Sequence, residues 1–88
     1  MTDNTVLMWE VRAEPEYFDA LVDWALEVSA NGAEIFRSGG GEPRVVIIQP
    51  GGAALPEPPD AYVARPPHAW QFTRVNAIEV DEGRQRST

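Results

Sequence analysis

Between Thr5 and Ala13 the residues alternate between two apolar sets rather than between apolar and polar. Leu7, Trp9 and Val11 fall on one side; Val6 and Met8 fall on the other, followed by Glu10 and Arg12. The period of two predicts a strand, and apolar residues on both sides predict a strand covered on both faces. The period changes after Glu14-Pro15-Glu16, where proline and two acidic residues suit the first turn of a helix. Phe18, Leu21, Ala25 and Val28 then share one arc, widened by Tyr17, Val22, Trp24 and Leu26. Glu16, Asp19, Asp23 and Glu27 form the opposite stripe, so a helix is predicted to about Ala30, with Asn31-Gly32 as a left-handed stop.

Ala33 to Arg37 predicts a short strand with Ile35 and Phe36 on opposite faces. Ser38-Gly39-Gly40-Gly41-Glu42-Pro43 predicts a hairpin loop into Arg44–Gln49. That last run, RVVIIQ, is β-branched with no polar side in its middle, as in a strand buried on both faces. Pro50–Pro67 holds six prolines and two glycines in eighteen residues, which excludes helix and central strand over most of it. Only Asp60–Ala64 suits a single helical turn. His68–Val75 predicts a last strand with His68, Trp70, Phe72 and Arg74 on one face. Asn76–Val80 continues it or lies along an edge. The expected domain is 1–80, with Asp81–Thr88 a polar tail.

These elements make an α+β antiparallel sheet of about four strands with one long helix. One helix covers one face of a sheet, so the apolar residues on the other face imply a further cover. The chain has 88 residues, enough for one small domain. A domain of this size buries only about 60–65% of its unfolded surface. It has no cysteine, hence no disulfide and no Cys-based zinc site. A second copy is a natural cover, and a homodimer is expected.

Fourteen acidic residues oppose seven basic ones, for a net charge of -7. That balance argues against nucleic acid and anionic membrane as partners. All seven basic residues are arginine, read as a compositional bias. No apolar run approaches the roughly 20 residues of a membrane span. Met1-Thr2-Asp3-Asn4 lacks the basic and apolar regions of a secretory leader, and a cytoplasmic location is expected.

The element order resembles βαββαβ, the ferredoxin-like pattern, with Pro50–Pro67 in place of the second helix. The stretch from Val6 to Gln49 resembles the dimeric α+β barrel superfamily, which includes antibiotic-biosynthesis monooxygenases. The carriers are Val11-Arg12, the acidic amphipathic helix, Asn31-Gly32-Ala33, Ile35-Phe36-Arg37-Ser38, and the hairpin into Val45-Val46-Ile47-Ile48. The resemblance implies that helices cover one sheet face and that two subunits pack their other faces into a barrel. Gln49-Pro50-Gly51-Gly52 stands where that family has a tryptophan signature, and the family has no universal catalytic residue to transfer. The chain also resembles small actinobacterial proteins of unknown function.

Candidate chemistry is sparse. His68 is the only histidine, the side chain type that ordinarily titrates near neutrality. With Arg74 it forms the candidate catalytic pair, His68 for protons and Arg74 for anionic charge. Trp9, Trp70, Phe72 and Tyr62 are the candidate ligand-binding residues, a flat apolar pocket for a small hydrophobic or aromatic molecule. Core and interface packing is the preferred account of the same aromatics, and the two readings are compatible. Arg12, Arg37, Arg44 and Arg74 sit on strands, and cross-strand pairing with Glu10 or Glu34 accounts for them without a ligand. The acidic helix stripe lies on one exposed face that cannot close around a metal ion, and no metal or other cofactor is expected. Ser38-Gly39-Gly40-Gly41 lacks the Lys-Ser/Thr ending of a phosphate loop.

Three functions fit these residues. The first, and preferred, is a dimeric binding or regulatory scaffold without catalysis. The second is a cofactor-independent monooxygenase- or cyclase-like enzyme acting on a small aromatic or polyketide-like molecule. The third is a protein-interaction module that uses extended stretches such as Pro56-Glu57-Pro58-Pro59.

Overall fold

The computed structural model describes residues 4–75. The expected extension at Asn76–Val80, the tail at Asp81–Thr88 and the start at Met1–Asp3 lie outside the described residues. Four strands form one antiparallel sheet: β1 (Thr5–Arg12), β2 (Glu34–Arg37), β3 (Arg44–Pro50) and β4 (His68–Thr73). Their spatial order is β2-β3-β1-β4, consistent with a ferredoxin-like arrangement. The two strands that are apolar on both sides, β1 and β3, take the two central places, and the shorter β2 and β4 form the edges.

One helix, α1 (Phe18–Val28), lies across one face. Leu7, Trp9 and Val11 of β1 and Val45 and Ile47 of β3 meet Leu21 and Ala25 there, and all seven are buried. Trp24 of the helix packs on Trp9 with ring centroids 5.7 Å apart. This is the hydrophobic core; each such buried large aliphatic is worth about 1.5–3 kcal/mol over its exposed state.

The helix is shorter than its pattern predicts at both ends. Pro15–Tyr17 forms a 3-10 turn before the α-helix begins at Phe18. At the other end Ser29 leaves helical geometry with ψ 149°, and its hydroxyl donates to the Ala25 carbonyl at 2.7 Å. That side-chain bond competes with continued helix. Gly32 does adopt a positive φ of 90°, but in the following turn and not as the helix stop. Leu26 falls outside the buried arc and is 62% exposed.

The proline-rich segment is a strap over the rest of the helix-side face. Leu55, Tyr62 and Val63 pack against the core, and Pro58 is buried. Its one 3-10 turn, Asp60–Tyr62, falls where a single turn is expected. The Glu14 amide donates to the Tyr62 carbonyl at 2.9 Å, and the Ala64 amide donates to the Arg12 carbonyl at 2.8 Å. The prolines lack the N–H groups a helix needs, and this extended chain covers with side chains and a few edge bonds what a second helix would otherwise cover. Tyr17 stacks on Tyr62 at 5.3 Å, joining the helix entry to the strap.

Gln49, the one buried polar side chain among the described residues, ties these parts together. Its Oε1 accepts from the Ala30 amide at 2.9 Å, and its Nε2 donates to the Ala53 carbonyl at 3.1 Å. Beside it Gly51 and Gly52 turn the chain with φ of 79° and 72°, and the Gly51 amide donates to the Thr5 carbonyl at 2.8 Å. A Cβ on Gly52 would stand 2.7 Å from Thr5 Cγ2. Positive φ and this clash act together, so Gly52→Ala is expected to cost about 1–3 kcal/mol, read as a lower midpoint in urea. Gly40→Ala, in open space at the hairpin, is the control and should shift the midpoint little.

Candidate functional site

Residues that face each other across an antiparallel pair share a face of the sheet. Val6, Met8 and Glu10 of β1 face Pro50, Ile48 and Val46 of β3 on one side, and Phe72, Trp70 and His68 of β4 on the other. Phe36 of β2 faces Val46, and Glu34 faces Ile48. None of these belongs to the face under α1. The result is an apolar field of Val6, Met8, Phe36, Val46, Ile48, Trp70 and Phe72 with no described element over it. Phe36, Trp70 and Phe72 are 49%, 44% and 49% exposed, against 0–6% for the core residues of β1 and β3.

Strand β4 makes the asymmetry plain. Toward the helix side it presents Ala69, Gln71 and Thr73; toward the open side it presents His68, Trp70 and Phe72. Its large apolar side chains therefore point away from the layer that carries the core. Four strands at about 4.8 Å and about six residues at 3.3 Å give the open face roughly 19 by 20 Å, about 400 Å² in projection. That is the size of the largest apolar patches found on monomeric proteins, which are often functional.

Charges rim one end of this face. Arg44 Nη1 pairs with Glu10 Oε2 at 2.8 Å, and Arg44 Nη2 reaches Glu42 Oε1 at 3.3 Å. The same Glu42 oxygen accepts Arg12 Nη2 at 3.0 Å. The hydrogen bond to Glu42, and next the charge of Glu10, hold the Arg44 guanidinium above its ordinary pKa, so it is charged at every pH a cell reaches. These are exposed pairs worth about 0–1 kcal/mol each; their consequence is that four charged groups are held in fixed places. Beside them lies a cavity of about 280 Å³ lined by Glu10, Arg12, Arg44, Arg65, Pro66 and His68. A second cavity of about 350 Å³ shares Arg65 and Pro66 and is otherwise built from the strap, with Glu57 and Asp60 in its wall.

The structure brings some candidate residues together and separates others. His68 lines the first cavity and meets Trp70 edge-on at 5.7 Å and 75°. Arg74 lies past the other end of β4, where its amide donates to the Asn4 carbonyl at 2.7 Å. Six residues of extended chain, about 20 Å, separate it from His68, so the two do not act on one atom within a chain. Trp70 and Phe72 are on the open face. Trp9 is in the core against Trp24, and Tyr62 stacks on Tyr17, both on the helix side. The sheet stands between the two pairs, so no ligand touches all four. Arg37 turns to the helix, pairing with Asp19 at 3.0 Å and lying 4.3 Å over the Phe18 ring. Among the described residues no three His, Asp or Glu side chains gather to hold a metal ion.

Arg65 is the residue that strand periodicity does not find. Its signal is the pair Pro66-Pro67, which fixes an extended chain between it and His68 and delivers both to one cavity. No helix among the described residues is long and apolar enough to cross a membrane. Sheet, helix and open face together define an α+β domain with one face covered and, among the described residues, one bare. Comparison with family models, with curated proteins and with solved structures finds no match.

Proposed function

We propose that this chain is a non-catalytic binding or regulatory scaffold that works as a homodimer. The open faces of two copies pack together into a barrel-like assembly. The observation that carries this reading is β4, whose Trp70 and Phe72 point to the bare side while Ala69, Gln71 and Thr73 point to the helix side. A strand in a monomer gains by placing its large apolar side chains toward the core; here they extend the field begun by Val6, Met8, Val46 and Ile48. The roughly 400 Å² projection gives about 800 Å² over both copies, below the ~1,200–2,000 Å² total of a standard interface, so the pairing falls at the small end of specific interfaces. A two-fold axis lets one self-complementary patch serve both copies.

The cavity at His68 favours a second reading, a cofactor-independent enzyme acting on a small aromatic molecule. Against it, the carboxylate facing His68, Glu10, is engaged by Arg44, and Arg74 is remote. The interaction-module reading has less support, because the strap packs on its own core through Leu55, Tyr62 and Val63.

Size-exclusion chromatography with light scattering tests the proposal. A mass near twice the 9.7 kDa chain is expected at micromolar concentration. A stable monomer would contradict the homodimer.

A further inference from the structure

We infer that the cavity at the charged end of the sheet binds a small aromatic carboxylate, its carboxylate held by Arg65 and His68 and its ring laid beside Trp70. The charge balance is the first ground. Arg12, Arg44 and Arg65 stand against Glu10 and Glu42, which leaves one positive charge before His68 is counted, in a chain whose net charge is -7. Arg12 and Arg44 are already engaged by those two carboxylates and frame the cavity. Arg65 makes no ion pair or side-chain hydrogen bond among the described residues, although acidic residues outnumber basic ones two to one. An unengaged guanidinium offers a planar fork of donors that matches a carboxylate with two parallel bonds.

Shape is the second ground. The volume of about 280 Å³ lies just under the ~300–1,000 Å³ range of pockets for drug-sized ligands and has room for a small aromatic acid. Trp70, 44% exposed in the single chain, touches His68, so the apolar face begins where the polar cavity ends, and a ring placed there lies at the edge of the dimer seam. The neighbouring cavity does not compete for an anion, because Glu57 and Asp60 are in its wall. The inference rests on the binding-scaffold reading and gives its ligand a chemical class.

The test is titration of the full chain with benzoate, followed by amide chemical shifts, with benzamide and acetate as probes lacking the charge and the ring. Benzoate is expected to move the amides of Glu10, Arg65 and His68 with a Kd on the order of 1 mM. Benzamide and acetate should bind at least about tenfold more weakly, and Arg65→Ala should weaken benzoate by about tenfold. Arg65 is exposed on the strap, so this variant keeps the fold, and its unchanged spectrum elsewhere verifies that. Absent shifts, equal binding of benzamide or acetate, or undiminished binding to Arg65→Ala would each overturn the inference. Light scattering on the same samples separates it from the homodimer: a dimer indifferent to benzoate sinks the ligand alone, and a monomer that binds benzoate sinks the dimer alone.

Discussion

Ile47→Asp is expected to leave the chain unfolded at room temperature, seen as loss of the cooperative thermal transition in circular dichroism. Ile47 is fully buried on β3, between Trp9 of β1 and Ile35 of β2. Its buried neighbours in the core are apolar, and the buried amide of Gln49 already bonds Ala30 and Ala53. A carboxylate there finds no partner and must be protonated to stay buried. Burial raises a carboxyl pKa by up to 3–5 units at about 1.4 kcal/mol each, and the lost packing adds about 2–5 kcal/mol. A domain of 88 residues has roughly 4–13 kcal/mol of stability, and one this small tends to the lower end. The substitution therefore removes all or most of it. A transition near that of the parent chain would contradict the assignment of Ile47 to the core.

That assignment shows what the sequence holds and what it lacks. The runs Thr5–Ala13 and Arg44–Gln49 display strands apolar on both sides, which places them centrally. Neither run says which side meets the helix, because Val45 and Ile47 have the same chemistry as Val46 and Ile48. Two remote features break the tie. Gln49 shares a side with Ile47, and its amide is satisfied only by Ala30 and Ala53 at the helix end and the strap. Strand β4 places its small and polar residues on that same side. Both facts depend on register between strands far apart in sequence, which no local period encodes.

The helix follows its periodicity in the middle and departs from it at the ends, where single side chains decide: Pro15 and Ser29. The site divides in the same way. His68, Trp70 and Phe72 share a face as a period of two requires, and the same period places Arg74 with them. Periodicity gives the face but not the separation, which is why Arg74 falls at the far end. Arg65 reaches the cavity through the path of a proline-fixed strap, a matter of tertiary packing.

One residue beyond Ile47, Ile48→Asp is expected to act on assembly and not on folding. Ile48 points to the bare face, with Met8 opposite it on β1 and Glu34 opposite it on β2. In a single chain the new carboxylate reaches water at the face, and its main cost is repulsion from Glu34, about 0.2–1 kcal/mol. In the proposed homodimer the same group is shut between two sheets beside its symmetry mate, without a cation on either copy at the centre of the field. An unpaired charge buried in this way costs about 3–5 kcal/mol, so the dimer dissociation constant should rise by about two to four orders of magnitude. The measurement is mass by light scattering over a concentration series, with thermal unfolding of the same sample. A monomer that still melts cooperatively is the expected pair of results. A dimer as tight as the parent's would show that the two copies meet on another surface. An unfolded Ile48→Asp chain would show that Ile48 belongs to a core the single chain already closes. Because Ile47 and Ile48 are adjacent and chemically identical, any difference between the two variants comes from the face each occupies, and the dependence of the Ile48→Asp mass on concentration reads whether a second copy covers that face.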